Sequence, residues 1–366
     1  MKNKKNTLYY IIAGEASGDL HGHHLMKELH KKDPNLVFRG IGGPKMEEAG
    51  LSSLIKFNRL AVMGFIEVLK DLFFFINTKK TILKDIKLSN PDKIILIDYP
   101  GFNLSLAKSI KKKLTIPIIF YISPQVWAWK ETRVATIKKY IDSLIVIFPF
   151  EVEWFKKRGV EVNYFGHPLI DINKDKPIAN KTAETTVGLF PGSREQEIAR
   201  HLPLLKKTIQ CLLKHNPKIK FIVCQAPGLN KETVNAFSSL SSTSIMTKSR
   251  DVFALSSAAI VTSGTATLEC AIAKTPFVVI YKTSLISWLL AKYFLSIKYV
   301  SIVNIIANQK IVTEFLQHRA QPQIISKTIL GLIKKPNALK QNLSLIKNSL
   351  GSGNSYKRTA QYILKS

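Results

Sequence analysis

Short apolar runs recur along this chain, each closed by small or polar residues and followed by a stretch with helical spacing. The runs at 8–13, 36–40, 93–98, 116–121 and 143–147 are apolar nearly throughout. A strand hidden on one face alternates, whereas a strand covered on both faces reads as an unbroken apolar run. Helical spacing falls at 19–31, after the turn Gly40-Ile-Gly42-Gly43-Pro44 through 49, and at 104–113. Strands alternating with helices predict a parallel, doubly wound sheet. Residues 171–186 are polar, contain Lys, Asn, Asp and Pro, and have no apolar period, which predicts an interdomain linker. Alternation then resumes, with strands at 186–190, 219–224, 259–262 and 277–281 and a long helix at 195–215. The end, 341–365, reads as helix interrupted at Gly351-Ser-Gly353. The expected organisation is an α/β domain over 1–170, a linker over 171–186, a second α/β domain over 187–345, and a helical tail over 346–366 that packs back on the first domain.

Composition narrows the picture. A chain of 366 residues suits two domains, each with its own core. A hydrophobic fraction of 46% excludes disorder. Cys211, Cys224 and Cys270 form no CxxC pair, so the expectation is three buried thiols in a reducing compartment, with neither disulfides nor zinc. The basic start, 1–7, runs into an apolar stretch too short for a signal peptide. The stretch 284–297 is broken by Lys292 and falls short of the roughly 18 apolar residues of a spanning helix. The net charge of +29 is spread out. Residues 1–170 hold 27 basic and 16 acidic residues, and 171–366 hold 27 and 9. No helix shows a basic stripe interleaved with aromatics, so nucleic acid is not expected, and anionic substrates or an anionic membrane surface remain.

Two stretches carry the chemistry: Ala13-Gly14-Glu15-Ala16-Ser17-Gly18-Asp19 and Ser263-Gly264-Thr265-Ala266-Thr267-Leu268-Glu269. Each joins a strand to a helix through small residues, which presents free backbone N–H groups to an anion. Pro191-Gly192-Ser193-Arg194 is a third such turn, and Arg194 can grip a diphosphate bidentately. The pair of turns in the second half makes a candidate nucleotide-diphosphate site. Glu269 either holds the two hydroxyls of a ribose or complements the helix dipole. In the first half, Asp98 ends a buried strand, where sheets of this kind line their ligand crevice. It is either a general base with a raised pKa or a cap of the Tyr-Pro-Gly turn. Glu15 would repel an anion and suits sugar hydroxyls, with Ser17 beside it. His21, His23 and His24 lack companion metal ligands and read as surface or cleft histidines. The segment around Met63, Phe65, Phe73, Phe74 and Phe75 is either a buried core helix or an apolar patch for a bilayer or acyl chains.

The chain resembles the lipid-A-disaccharide synthase family. The shared pieces run nearly end to end: the first turn, Gly40-Ile-Gly-Gly-Pro44, Met63-Gly-Phe-Ile-Glu-Val68, Asp98-Tyr-Pro-Gly-Phe-Asn103, Tyr121-Ile-Ser-Pro-Gln-Val-Trp-Ala-Trp129, Phe148-Pro-Phe-Glu151, Gly166-His-Pro168, Pro191-Gly-Ser-Arg194 and the Ser263 turn. The resemblance implies a GT-B glycosyltransferase, with two Rossmann-like domains facing a cleft and the nucleotide on the second. The implied donor is UDP-2,3-diacylglucosamine and the acceptor is 2,3-diacylglucosamine 1-phosphate. Transfer with inversion gives a β-1,6 disaccharide 1-phosphate and UDP, a step in lipid A biosynthesis. The implied location is peripheral, at the cytoplasmic face of the inner membrane. No cofactor or metal is implied, and a homodimer is left open. On this reading Asp98 is the first candidate for the base, with Glu15 and His21 behind it. Ser17, Gly192, Ser193, Arg194, Ser263, Gly264, Thr265, Ala266, Thr267 and Glu269 bind substrate. Asn304 matches a family position near the donor, although Val303 stands where the pattern has proline. Met63, Phe65 and Phe73–Phe75 become the acyl or membrane contact.

Two other readings compete. Another UDP-sugar GT-B enzyme, a peptidoglycan-type transferase or a UDP-sugar 2-epimerase, would share the Ser-Gly-Thr-Ala turn and Glu269 without needing the apolar segment. A basic protein that binds nucleic acid or membrane without catalysis would have no use for Asp98. The full-length agreement of the site motifs argues against it.

Overall fold

The computed structural model describes residues 7–55, 72–172, 184–284, 288, 293 and 297–366. The chain divides into two compact units, Met1–Asp171 with Gly351–Ser366, and Ile172–Leu350. Each is a parallel sheet with helices on its faces.

The first unit holds β1 (Leu8–Ala13), β2 (Val37–Ile41), β3 (Leu51–Ser53), β4 (Lys93–Ile97), β5 (Ile118–Tyr121), β6 (Ser143–Val146) and β7 (Asn163–Tyr164). Their order is β3-β2-β1-β4-β5-β6-β7 and every pairing is parallel. The second holds β8 (Thr186–Phe190), β9 (Lys220–Cys224), β10 (Thr243–Met246), β11 (Ala258–Thr262), β12 (Phe277–Tyr281) and β13 (Glu314–Leu316), in the order β10-β9-β8-β11-β12-β13. In both sheets the strand order reverses between the first and fourth strands of the unit. Crevices for ligands open at the carboxyl ends of strands beside such a reversal. In the first unit those ends belong to β1 and β4, and in the second to β8 and β11.

Unbroken apolar strands account for both cores. Tyr10, Ile12, Ile94, Leu96, Ile118 and Phe120 anchor the first, and Val187, Leu189, Phe221, Val223, Ile260 and Val278 the second. Each fully buried side chain of this size stabilises by about 1.5–3 kcal/mol relative to exposure. Prolines open several helices, at Pro44, Pro100, Pro149 and Pro322, where a missing N–H costs nothing. After the helix Asn337–Ser349 the chain turns through Gly351 and Gly353, at φ +99° and +92°. The helix Ser355–Lys365 then packs against the helix Ala16–Lys32 of the first unit.

Some elements differ from the sequence reading. The first helix starts at Ala16 rather than 19, with Glu15 at its N-cap position. The helix after β4 starts at Pro100 rather than 104. Cys224 and Cys270 are buried, but Cys211 is only partly so, and all three are free. Met63, Phe65 and the side chain of Phe73 lie outside the described residues. Phe74 and Phe75, on the helix Leu72–Ser89, are half-buried and pack against the first core. Among the described residues no helix is long and apolar enough to cross a membrane.

Candidate active site

In the first unit, the turn after β1 and the turn after β4 lie side by side. Asp98 and Tyr99 have φ of +47° and +49°, two successive residues in the left-handed region. Aspartate tolerates this conformation better than most residues, whereas tyrosine does not. The surroundings hold it in place. Asn103 donates its Nδ2 hydrogen to the Asp98 carbonyl at 2.8 Å, and its own N–H bonds the Tyr99 carbonyl at 3.1 Å. The Tyr99 ring lies against Gly14, where a Cβ would overlap the ring carbons. The glycine of the first motif is therefore required by the tyrosine of the second. Ile122, just after β5, is a further residue in the left-handed region at the carboxyl end of a neighbouring strand, at φ +64°.

The Asp98 carboxyl is pushed up to about 6, by burial first and then by the negative charge of Glu15, with the Tyr99 N–H pulling the other way. Glu15 and Ser17 are exposed at the start of the helix Ala16–Lys32. Glu15 makes no side-chain cap bond there. His21 is half-buried and its Nδ1 lies 2.8 Å from the Tyr356 hydroxyl. Burial, and then the neighbouring His24, lower its pKa to about 4. His21 is thus a neutral, weakly basic ring.

Other sequence motifs brace this arrangement. Asp19 is buried, and its carboxylate accepts the N–H groups of Met46 at 3.0 Å and Lys45 at 3.2 Å. It thereby caps the helix Pro44–Glu48 that follows the Gly40–Pro44 turn, and a Cβ at Gly43 would overlap it. His23 Nδ1 lies 2.6 Å from the Lys45 carbonyl. Trp127 donates its indole N–H to Glu151 at 3.0 Å, and Glu151 also accepts from the Ile147 and Phe148 backbone. This joins the Trp-rich run to the Phe148–Glu151 motif. Burial pushes Glu151 up to about 7, against the pull of those donors. Among the described residues no three His, Cys, Asp or Glu side chains gather as metal ligands.

In the second unit the same positions carry a different chemistry. Gly192 follows β8 at φ +123° and Gly264 follows β11 at φ +145°, conformations glycine adopts without strain. The first leads into the helix Glu195–His215 and the second into the helix Thr265–Ile272. Arg194 makes no cap bond to the first helix and Gly264 has no side chain to cap the second. Ser193 and Arg194 are exposed, and the Arg194 guanidinium stands 3.6 Å from Glu197, a loose surface pair. Gly264 and Thr265 are exposed and Ala266 partly so. Ser263 donates its hydroxyl to the Val300 carbonyl at 2.8 Å, and Thr267 donates its own back to Gly264 at 2.8 Å. These two hydroxyls shape the turn, leaving the exposed groups at 264–266 free to meet a ligand. Glu269 is half-buried, accepts the Ser249 hydroxyl at 2.5 Å and has its pKa raised by burial.

Asn304 lies within the second unit. It is fully buried; its Nδ2 donates to Val312 and Glu314, and its Oδ1 accepts from Ile311 and Val312, all at 2.8–2.9 Å. An amide has two donor hydrogens and two acceptor sites, and all four are used. Asn304 thereby braces the approach to β13. Glu314, unnoticed in the sequence, receives this bond together with the Val300 and Ser301 N–H groups. Ser249 and Tyr356 were also missed, because each meets its site residue only through tertiary folding. His201 was missed too, although a histidine on the apolar stripe of a helix is a signal open to reading. A cavity of about 530 Å³ lies in the second unit, lined by Thr186, Lys220 and Leu240 among others. Thr186 and Lys220 begin β8 and β9, so it sits at the opposite ends of the strands from these turns.

Residues 9–365 match the family model described as lipid-A-disaccharide synthetase. Lipid-A-disaccharide synthase 1 of Legionella pneumophila (strain Philadelphia 1) is 40% identical over 356 residues, covering 93% of each chain. Among solved structures, UDP-GlcNAc 2-epimerase from Neisseria meningitidis, bound to UDP-GlcNAc, superimposes with a TM-score of 0.65 at 12% identity, covering 98% of this chain and 100% of that one. CalG4, the calicheamicin glycosyltransferase, gives 0.64 at 11% identity, covering 99% and 98%. At such identities these two show the fold alone, which is GT-B.

Proposed function

The chain belongs to the lipid-A-disaccharide synthase family, and from that membership we propose how its two units divide the work. It is a glycosyltransferase of lipid A biosynthesis and makes the lipid A disaccharide. The alternative of another UDP-sugar enzyme of the same fold is not favoured, since its likeness to such enzymes is one of fold.

The donor is UDP-2,3-diacylglucosamine and the acceptor 2,3-diacylglucosamine 1-phosphate. The second unit holds the donor. Arg194 and the amides of the 192–194 and 264–266 turns face the diphosphate, and Glu269 accepts hydrogen bonds from the ribose hydroxyls. The first unit serves the acceptor. Asp98 takes the proton of the acceptor 6-hydroxyl while that oxygen attacks the anomeric carbon of the donor. The carbon–oxygen bond to UDP breaks in the same displacement, its electron pair leaves with UDP, and the configuration inverts. Charge growing on UDP meets Arg194 and the turn amides. Glu15 and Ser17 orient sugar hydroxyls near the base. The apolar segment that includes Met63, Phe65 and Phe73–Phe75 contacts acyl chains or the membrane surface at the inner face of the inner membrane.

The observation that carries this reading is the Asp98 carboxyl. It stands at the carboxyl end of β4, half-buried, with its pKa raised to about 6. A base is most effective when its pKa lies near the working pH. His21, lowered to about 4 and engaged with Tyr356, is the weaker base. The test is incubation of the purified protein with both acylated substrates. Disaccharide 1-phosphate and UDP in equal amounts are expected. UDP without disaccharide, or turnover of non-acylated UDP-sugars alone, would contradict the assignment.

A further inference from the structure

The helix Glu195–His215 buries a stripe made of Ile198, His201, Leu204, Leu205, Thr208, Ile209 and Leu212. His201 is its one histidine, and it is fully buried. Its partners define its state. Nε2 lies 2.9 Å from the Lys282 backbone N–H, which can only donate, so Nε2 is unprotonated. Nδ1 lies 2.8 Å from the Pro191 carbonyl, which can only accept, so Nδ1 carries the hydrogen. Thr262 Oγ1 stands 3.3 Å from the same nitrogen. Burial lowers the pKa and keeps the ring neutral.

The three partners sit at the carboxyl ends of three neighbouring strands. Pro191 follows the last residue of β8, Thr262 is the last residue of β11, and Lys282 follows the last residue of β12. Pro191 opens the turn that carries Arg194, and Thr262 precedes the Ser263–Thr267 turn. A leucine would fill this place in the stripe at less cost in desolvation, but it would leave the Pro191 carbonyl and the Lys282 N–H unpaired.

We propose that His201 is a positioning residue for the donor diphosphate, latching the Pro191–Arg194 turn to the ends of β11 and β12 so that Arg194 and the 264–266 amides keep one spacing. This rests on the reading of the second unit as the UDP-sugar site. The Pro191 turn cannot shift from the end of β12 without breaking a bond to the ring, and the ring also stands against Thr262, the residue before the second turn. His201 itself touches no substrate and acts through the turns.

The test uses the full-length protein and the variants H201L, H201N and H201Q. Calorimetric titration with UDP gives the affinity, melting curves report folding, and steady-state rates are taken with donor and acceptor varied separately. An asparagine amide falls near Nδ1 and can serve Pro191, whereas a glutamine amide reaches toward Nε2 and can serve Lys282. In H201L, UDP affinity falls and donor KM rises by about tenfold or more, while acceptor KM stays unchanged. Asparagine and glutamine each recover part of the loss. A folded H201L with wild-type UDP affinity and donor KM overturns the latch. If H201L does not fold, wild-type UDP affinity in both H201N and H201Q overturns it equally. Wild-type protein that binds no UDP strikes the donor-site reading itself, a separate result.

Discussion

The two units share one strand order yet differ at the point where that order reverses. In the second, both turns at the reversal carry a glycine at positive φ, and the side chains around them are exposed hydroxyls and Arg194. In the first, the matching turns carry carboxylates, Glu15 and Asp98, and a tyrosine ring lies against the glycine. One fold thus offers an anion a cradle of amides in one unit and offers a hydroxyl a base in the other. The sheet supplies the position, and a handful of turn residues supplies the chemistry.

The largest effect expected from breaking this division is at Asp98. An asparagine side chain there would keep the left-handed backbone, which asparagine also tolerates, but could not take a proton. Asp98→Asn should lower kcat by about 10²–10⁴ with an unchanged melting temperature, measured as disaccharide formed. Next comes Arg194→Ala, which removes the only side-chain cation assigned to the diphosphate. It should cost about 10²-fold in kcat/KM for the donor, with acceptor KM unchanged. Arg194→Lys should restore only part of it, since the paired donors are lost. Glu269→Gln should raise donor KM by about tenfold, by weakening the grip on the ribose.

The smallest effect sharpens the comparison most. Asp98 is held up partly by the charge of Glu15. Asp98 must be ionised to act, so activity should fall as pH drops through about 6. Glu15→Gln removes the repelling charge, lowers the pKa of Asp98 and should move that acid limb to lower pH. A limb that stays in place in the variant would show that Asp98 is not the titrating group.

Much of this architecture was legible because strands buried on both faces leave an unmistakable apolar run, as at 8–13 or 93–97. The edge strands β3, β7, β10 and β13 were not, being two to four residues long and largely half-exposed. Turn chemistry was legible for a similar reason, since glycines before a helix mark the backbone conformation they permit. Long-range partners were beyond reach. Asp19 looks like the cap of its own helix, and only folding reveals that it caps one 26 residues away. Nor does the sequence show the four bonds by which Asn304 ties Val312, Glu314 and Ile311 together. Its replacement by alanine should cost about 1–3 kcal/mol of stability, read from chemical unfolding, and leave the UDP affinity of the folded protein unchanged.

The most direct test of the division is UDP affinity measured calorimetrically on Asp98→Asn and Arg194→Ala beside wild type. The account predicts wild-type affinity in the first, which turns over poorly, and a loss of about tenfold or more in the second. Equal loss of UDP affinity in both, or normal UDP affinity in Arg194→Ala, would contradict it.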